Sequence, residues 1–419
     1  MYIDLKLIAI MKLPTGKMWI LWITLACFLS LSYAQRCGWQ VGGAVCPNNK
    51  CCSEWGWCGL TSEYCNDKCQ SQCGGGSSGS RAIGVDFGQD SNELRSMNDI
   101  VGFLLQKNLK KIRLYHSQPE TMRAFQGKGI ELILSIPNDD LKGSGMAWNQ
   151  AGADWWVSQN IDPYISNTPI TMIAVGNEVT LTGDGSLIGQ TLPAMRNMRK
   201  ALDAKGYTQI KVSTPLAMDI LGNSFPPSAG SFKDAGLMKP ILEFLGSTKS
   251  TFLINSYTYF TYRDNPSQIN LDSALLKASA PPVTDFQTGI VYRNLLFQQL
   301  DAVISAMKQQ GYPDLPFIIS ETGWPSGGGN AASPGNAQTY NQNLINIVAK
   351  GQGTPLRPGS KIEAYIFALF NENLKGGNGI ERNFGLFRPD LSPVYDINLG
   401  GNGLQTAEDN PRQGRVESF

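Results

Sequence analysis

Two glutamates each end a strongly apolar run: Glu178 in Val175-Gly176-Asn177-Glu178-Val179, and Glu321 in Ile318-Ile319-Ser320-Glu321-Thr322-Gly323-Trp324-Pro325. Short apolar runs of this kind read as buried strands, so each carboxyl group stands where interior meets solvent. Burial beside a second carboxylate raises one pKa and leaves the other group ionised, which makes a proton donor and a nucleophile or base from identical side chains. Hydrolysis of a glycosidic bond needs that pair, one carboxyl to protonate the departing oxygen and one to attack or to activate water. A single strand-end glutamate is as readily an arginine partner or a helix cap. Two of them, each followed by small residues that leave room for a ligand, favour chemistry.

Eight strand-like runs are available to position them: 82–87, 111–115, 131–136, 172–176, 210–213, 252–257, 317–320 and 362–369. Helix-like stretches fall between them, among them 92–106, 148–164, 188–205, 292–310 and 337–349, most with apolar residues at helical spacing. Eight alternating β and α units predict an α/β fold, a (β/α)8 TIM barrel over residues 82–399, whose chemistry belongs at the C-terminal strand ends. The first βα turn lacks a glycine-rich phosphate fingerprint, which argues against a dinucleotide fold. Asp86 in the first run places a carboxylate inside the barrel or at its mouth.

The first 34 residues read as a secretory signal: three lysines, an apolar run from Met18 to Leu31, then Ser32-Tyr33-Ala34. Of nine cysteines, eight lie between Cys37 and Cys73. Behind a secretion signal, eight cysteines in so short a stretch predict a disulfide framework, because a module this small buries too little surface to fold without cross-links. Zinc is the competing reading, but the stretch holds no histidine and the compartment is oxidising; no metal or cofactor is expected. A Gly/Ser tether (74–81) follows the module (35–73), and a polar tail (400–419) follows the barrel. With 35 basic and 34 acidic residues, the net charge of +1 gives no basis for nucleic acid or anionic membrane as partner. A neutral polymer fits better.

Within the cysteine module, Ser53-Glu54-Trp55-Gly56-Trp57-Cys58-Gly59 sets two tryptophans two apart, with Tyr64 close behind. Exposed aromatic faces beside hydroxyls suit pyranose rings, although Trp55 and Trp57 could instead close a mini-core. The spacing of the eight cysteines and this run, with Glu63-Tyr64-Cys65, resemble the hevein family of chitin-binding domains. The resemblance implies bonds Cys37–Cys52, Cys46–Cys58, Cys51–Cys65 and Cys69–Cys73. It also implies that Ser53, Trp55, Trp57 and Tyr64 hold N-acetylglucosamine units.

The larger part resembles family 17 glycoside hydrolases, the plant-type β-1,3-glucanases, through Ile112-Arg113-Leu114-Tyr115, the two glutamate segments, Asn255-Ser256-Tyr257-Thr258-Tyr259-Phe260 and Phe370-Asn371-Glu372-Asn373-Leu374-Lys375. That likeness implies a retaining reaction, Glu178 as acid/base and Glu321 as nucleophile, with carboxyl groups about 5–5.5 Å apart. It implies substrate-binding roles for Tyr115, Asn177, Tyr257, Trp324, Glu372, Lys375 and Glu381, and no catalytic role for His116, where the family usually has an acid. The expected protein is a secreted monomer, extracellular or vacuolar, acting on β-1,3-glucan while its small module holds chitin. Three alternatives stand beside it: a mixed-linkage 1,3-1,4-β-glucanase, a chitinase, which the lack of an Asp-x-x-Asp-x-Asp-x-Glu motif disfavours, and a chitin-binding lectin with an inactive barrel.

Overall fold

A computed structural model describes residues 36–41, 46, 51–59, 64, 69–70, 83–143 and 149–399. The leader, the tether, the tail, Cys65 and Cys73 lie outside the described residues. The chain divides into two compact units, 1–78 and 79–419.

In the first unit, Cys51–Cys52 pairs antiparallel with Cys58–Gly59. The disulfides Cys37–Cys52 and Cys46–Cys58 tie this hairpin to the preceding segment. Cys51 and Cys69 are also disulfide-bonded. Cys37, Cys46 and Cys52 form the buried centre with Cys58 packed against them, so sulfur replaces the apolar core that the unit is too short to build.

The second unit contains β1 (Ile83–Phe87), β2 (Lys111–Leu114), β3 (Glu131–Ile136), β4 (Ile170–Val175), β5 (Lys211–Ser213), β6 (Pro215–Ala217), β7 (Phe252–Asn255), β8 (Phe317–Thr322) and β9 (Ala364–Ile366). Hydrogen bonding runs β5-β4-β3-β2-β1-β9-β8-β7-β6, and every pair is parallel. Only Thr214 separates β5 from β6, so the two ends of this sheet are halves of one run, and the barrel closes on itself there. The run expected at 210–213 is therefore the first half of a longer strand. The one expected at 362–369 stops at Ile366, because Phe367 N–H then bonds to Thr322 O and Leu369 N–H to Asp86 O, outside the ladder.

Asn, Asp or Ser side chains cap six of the helices: Ser96, Asn149, Asp184, Asp234, Asn294 and Ser333 each accept a first-turn N–H, while the helix Pro119–Phe125 after β2 opens on a proline without a side-chain cap. The cap at Ser96 is why the helix expected from Asn92 starts at Met97. Strands and helices share an outer apolar core. Inside the barrel a smaller cluster of Ile133, Met172, Ala174, Leu253 and Tyr365 fills the lower layers. Gly84 lies against the Tyr365 ring, which fixes the inward face of β1. By alternation Asp86 points inward too.

Candidate active site

At the C-terminal strand ends the interior turns polar, and a cleft of about 600 Å³ opens there. Asn177, Glu178, Glu321, Tyr115, Tyr257, Glu372, Lys375 and Glu381 line it together with His116, Phe260, Phe367 and Phe384. Eight of the nine barrel residues read from the sequence as site residues thus meet in one place. Trp324 does not. Its ring has no exposed surface, packs against Tyr259, Tyr262 and Tyr340, and its indole N–H donates to Ala331 O at 2.9 Å. It props the loop behind Glu321 and leaves no face for a sugar.

Glu321 is 5% exposed and held by three donors. Arg113 Nη1 and Tyr115 Oη both donate to Oε1 at 2.7 Å, and Tyr257 Oη donates to Oε2 at 2.9 Å. Arg113 has no exposed surface and spans the site: Nη2 donates to Asn177 Oδ1 at 2.8 Å and Nη1 to Ser320 O at 3.1 Å. A planar fork reaches both partners at fixed separation, which a lysine could not do. Burial, followed by the charges of Asp86 and Glu321, raises the Tyr115 pKa; burial followed by Glu321 does the same for Tyr257. Both phenols remain donors.

Glu178 sits in left-handed backbone at φ 48°, two residues after Gly176 at φ 70°. A side chain at position 176 would press on Val179 Cγ1. Such a conformation costs on the order of 1–3 kcal/mol in a non-glycine residue and persists only where its surroundings enforce it. They do: Glu178 N–H bonds to Pro215 O at 2.9 Å, and Asn138 clamps Asn177 by accepting its N–H and donating to its carbonyl, both at 2.8 Å. Asn255, opposite Glu321 in the β7–β8 register, donates to Glu178 Oε1 at 3.0 Å and accepts from Ser320 Oγ at 2.7 Å. Burial and then the charge of Glu321 push the Glu178 carboxyl up to about 7, against the opposing hydrogen bond from Asn255 and the charge of Arg113. The two glutamates are therefore unlike: one keeps its proton up to about pH 7, the other is tied to a guanidinium.

Around them, Glu372 is 4% exposed, so it is not one half of a surface i, i+3 pair. Its Oε1 accepts Asp90 N–H at 3.1 Å, and Oε2 lies 3.7 Å from Lys375 Nζ, which is also 3.9 Å from Glu381 Oε2. Gly88 leaves room for it: a Cβ there would force the Glu372 carboxyl to move. Burial raises the Glu372 pKa. Phe367, Phe384 and Phe260 join Tyr115 and Tyr257 in an aromatic wall. Asp86 faces Arg113 across the β1–β2 register, has no exposed surface, and neither carboxyl oxygen has a hydrogen-bond partner among the described residues. Burial drives its pKa well above the usual carboxylate value, ahead of the opposing charge of Arg113.

Arg113, Asn138, Asn255 and the three phenylalanines are additions to the residues read as site residues from the sequence. A cationic side chain inside the apolar strand Lys111–Leu114 was the available signal for the first. Asn255 and Phe260 lie within a segment that carries the family resemblance, but nothing local assigned them a partner; Asn138, Phe367 and Phe384 gave no signal, because register and loop packing decide their contacts.

In the small unit, Trp55 is 71% exposed and Trp57 half-buried, with the Arg36 guanidinium 4.4 Å from one face of the Trp57 ring. Tyr64 is half-buried. Trp55 thus presents an open face and does not close a mini-core. Ser53 is 3% exposed, and its Oγ accepts Trp57 N–H at 3.3 Å, which leaves little of it open to a sugar. Trp39, 75% exposed, is a further open aromatic that the motif does not flag. Among the described residues the one cluster with metal-ligand spacing is Cys37, Cys46 and Cys58, whose sulfurs are in disulfides.

Residues 83–399 match the family model for glycosyl hydrolases family 17, and residues 36–73 match that for chitin recognition protein. Glucan endo-1,3-beta-glucosidase GII of Hordeum vulgare is 44% identical over 317 residues, covering 76% of this chain and 92% of the relative. Glucan endo-1,3-beta-glucosidase 14 of Arabidopsis thaliana is 39% identical over 327 residues, covering 77% and 83%. Among solved structures, CJP38, a beta-1,3-glucanase and allergen of Cryptomeria japonica pollen, aligns with a TM-score of 0.72 at 44% identity, over 76% of this chain and 98% of that one. One of two plant beta-glucan endohydrolases with distinct substrate specificities aligns with a TM-score of 0.70 at 41% identity, over 75% and 100%. With its barrel matched from end to end and two unlike glutamates at the strand ends, the chain belongs to glycosyl hydrolases family 17.

Proposed function

We propose that this protein is a secreted, retaining endo-β-1,3-glucanase whose N-terminal module binds chitin. The observation that carries the reading is the division of labour between the two carboxyls: Glu321 fixed by Arg113, Tyr115 and Tyr257, and Glu178 buried, hydrogen-bonded by Asn255 and pushed up to about 7. The relatives named as β-1,3-glucanases supply the substrate class.

In the first step Glu321 attacks C1 of the glucosyl unit while Glu178 gives its proton to the departing glycosidic oxygen, so the C1–O bond breaks as a glucosyl ester forms. Oε1 is committed to Arg113 and Tyr115, which leaves Oε2, with the single Tyr257 bond, as the attacking atom. Esterification removes the Glu321 charge that helps to raise the Glu178 pKa. With its pKa lowered, Glu178 stays ionised after giving up its proton and so is available as the base that takes a proton from water when the sugar is released with its configuration retained. Tyr115, Asn177, Tyr257, Glu372, Lys375 and Glu381 position the reacting sugar and the glutamates, and the phenylalanine wall offers stacking surface. Stacking on Trp55 and Trp57 holds the enzyme on chitin-containing material, which raises the local concentration of adjacent glucan. Residues 1–34 act as the export signal.

Reducing-sugar release from the purified chain, measured on linear β-1,3-glucan, chitin and mixed-linkage β-glucan, tests this. Activity confined mainly to the first is expected. Preference for mixed-linkage glucan would move the substrate assignment, and silence on all three with chitin still bound would favour a lectin.

A further inference from the structure

Two phenylalanines outside the catalytic cleft stand open to solvent side by side. Phe225 is 57% and Phe286 72% exposed, and their rings meet edge to face with centroids 6.4 Å apart. Each tops an antiparallel hairpin: Phe225 lies between Leu221–Asn223 and Ser231–Phe232, Phe286 between Val283–Thr284 and Val291–Tyr292. Hydrogen bonds lock the hairpins together. Ser228 donates N–H to Asp285 Oδ2 at 2.8 Å and Oγ–H to Oδ1 at 2.9 Å, while Gln287 and Thr288 N–H groups also donate to Oδ1 at 2.9 and 3.1 Å. The pair therefore sits on a rigid pedestal, and the edge-to-face meeting takes up at most one face of one ring.

Its position says what would cover it. The hairpins rise from the loops after β6 and β7, the same loops that give Met218, Phe260 and Thr261 to the cleft. Thr180 Oγ1 donates to Asp219 Oδ1 at 3.1 Å, which ties the turn after Glu178 to the turn from which the Phe225 hairpin rises. The loop that carries Phe225 is thereby joined to the turn of the acid that would protonate the leaving group, the end of the cleft from which the leaving portion of a polymer would extend. Pyranose rings present C–H faces that pack on aromatic rings at low entropy cost.

We propose that Phe225 and Phe286 form an outlying platform for the leaving-group end of a long glucan chain, beyond the sugars held in the cleft. This rests on the β-1,3-glucanase reading. The test compares the full chain with Phe286→Ala and with Phe225→Ala/Phe286→Ala on long soluble β-1,3-glucan and on a β-1,3-linked glucose pentamer. The platform predicts that KM for the polymer rises about five- to tenfold, with kcat on the polymer and both constants on the pentamer within about twofold of the parent. Ser228→Ala, which loosens the pedestal without touching a ring, should give a smaller loss of the same polymer-specific kind. Unchanged polymer kinetics, or equal losses on both substrates, would overturn the proposal. So would a parent that dimerises through this pair and variants that do not, which would make a second copy the occupant. A parent inactive on both substrates, seen before any substitution, would overturn the underlying glucanase reading and the platform with it.

Discussion

Arg113→Lys isolates what the buried guanidinium does. Arginine holds Glu321 Oε1 at 2.7 Å through one nitrogen and Asn177 Oδ1 at 2.8 Å through another. A lysine ammonium keeps the charge but is a single point on a flexible stem, so it can pair with Glu321 and must release Asn177, or hold both poorly. Loss of one hydrogen bond of this charge-assisted kind is worth about 1.5–3 kcal/mol. If that loss falls on the transition state, where Glu321 must be aimed and the Asn177-Glu178 turn held, kcat drops about ten- to a hundredfold. Arg113 has no exposed surface and does not line the cleft, so KM should move little. Folding should weaken only moderately, because Glu321 keeps a countercharge. Arg113→Met, by contrast, strands the carboxylate and should cost about 3–5 kcal/mol of stability. Steady-state kinetics on soluble β-1,3-glucan together with thermal unfolding separate these effects. A lysine variant with kcat within about threefold of the parent, or with its whole loss in KM, would refute the positioning argument.

The remaining expectations concern protonation and the tryptophans. Glu178 must be protonated to act as acid, and its carboxyl is pushed up to about 7, so kcat/KM should fall as pH rises through about 7; a profile still climbing at pH 8 would exclude Glu178 from that role. Asp86 is protonated in the fold to a higher pH than in the unfolded chain, so its contribution to stability is present below the unfolded pKa and is lost as pH rises above it, by up to about 1.4 kcal/mol per pH unit. Asp86→Asn should therefore be more stable than the parent by a margin that widens between pH 4.5 and 7.5 in denaturant titrations; a margin independent of pH would show that Asp86 is ionised in the fold. Trp55→Ala should abolish retention on chitin without lowering the stability of the barrel. Trp324→Ala should do the reverse, costing about 3–5 kcal/mol, and equal chitin loss in both variants would contradict the two assignments.

The barrel and its glutamates were legible because local signals coincide there: apolar runs of strand length, turns that follow them, and acids where the runs end. Other features depend on what lies across the sheet. Asn255 acts on Glu178 because the β7–β8 register sets it opposite Glu321, and Arg113 meets Asp86 through the β1–β2 register. Neither pairing is local in sequence. Trp324 misled for the opposite reason: its neighbours along the chain are catalytic, yet the loop turns its ring under Ala331, away from the cleft. Glu372 and Lys375, three residues apart, had a solvent-facing pair as their lesser alternative, and burial beside Gly88 decides against it.

The central claim is that Glu321 forms a covalent bond to the sugar while Glu178 handles the proton. The most direct measurement treats the enzyme with a 2-deoxy-2-fluoro β-glucoside carrying a β-1,3-linked glucosyl unit and a good leaving group, which slows release of any ester, and follows the intact mass and the modified peptide. The account predicts stoichiometric inactivation with one glycosyl adduct on Glu321, and a Glu178→Gln variant that still forms the adduct because the leaving group needs no acid. An adduct on any other residue, or turnover of the natural glucan with inverted configuration and no adduct at all, would contradict it.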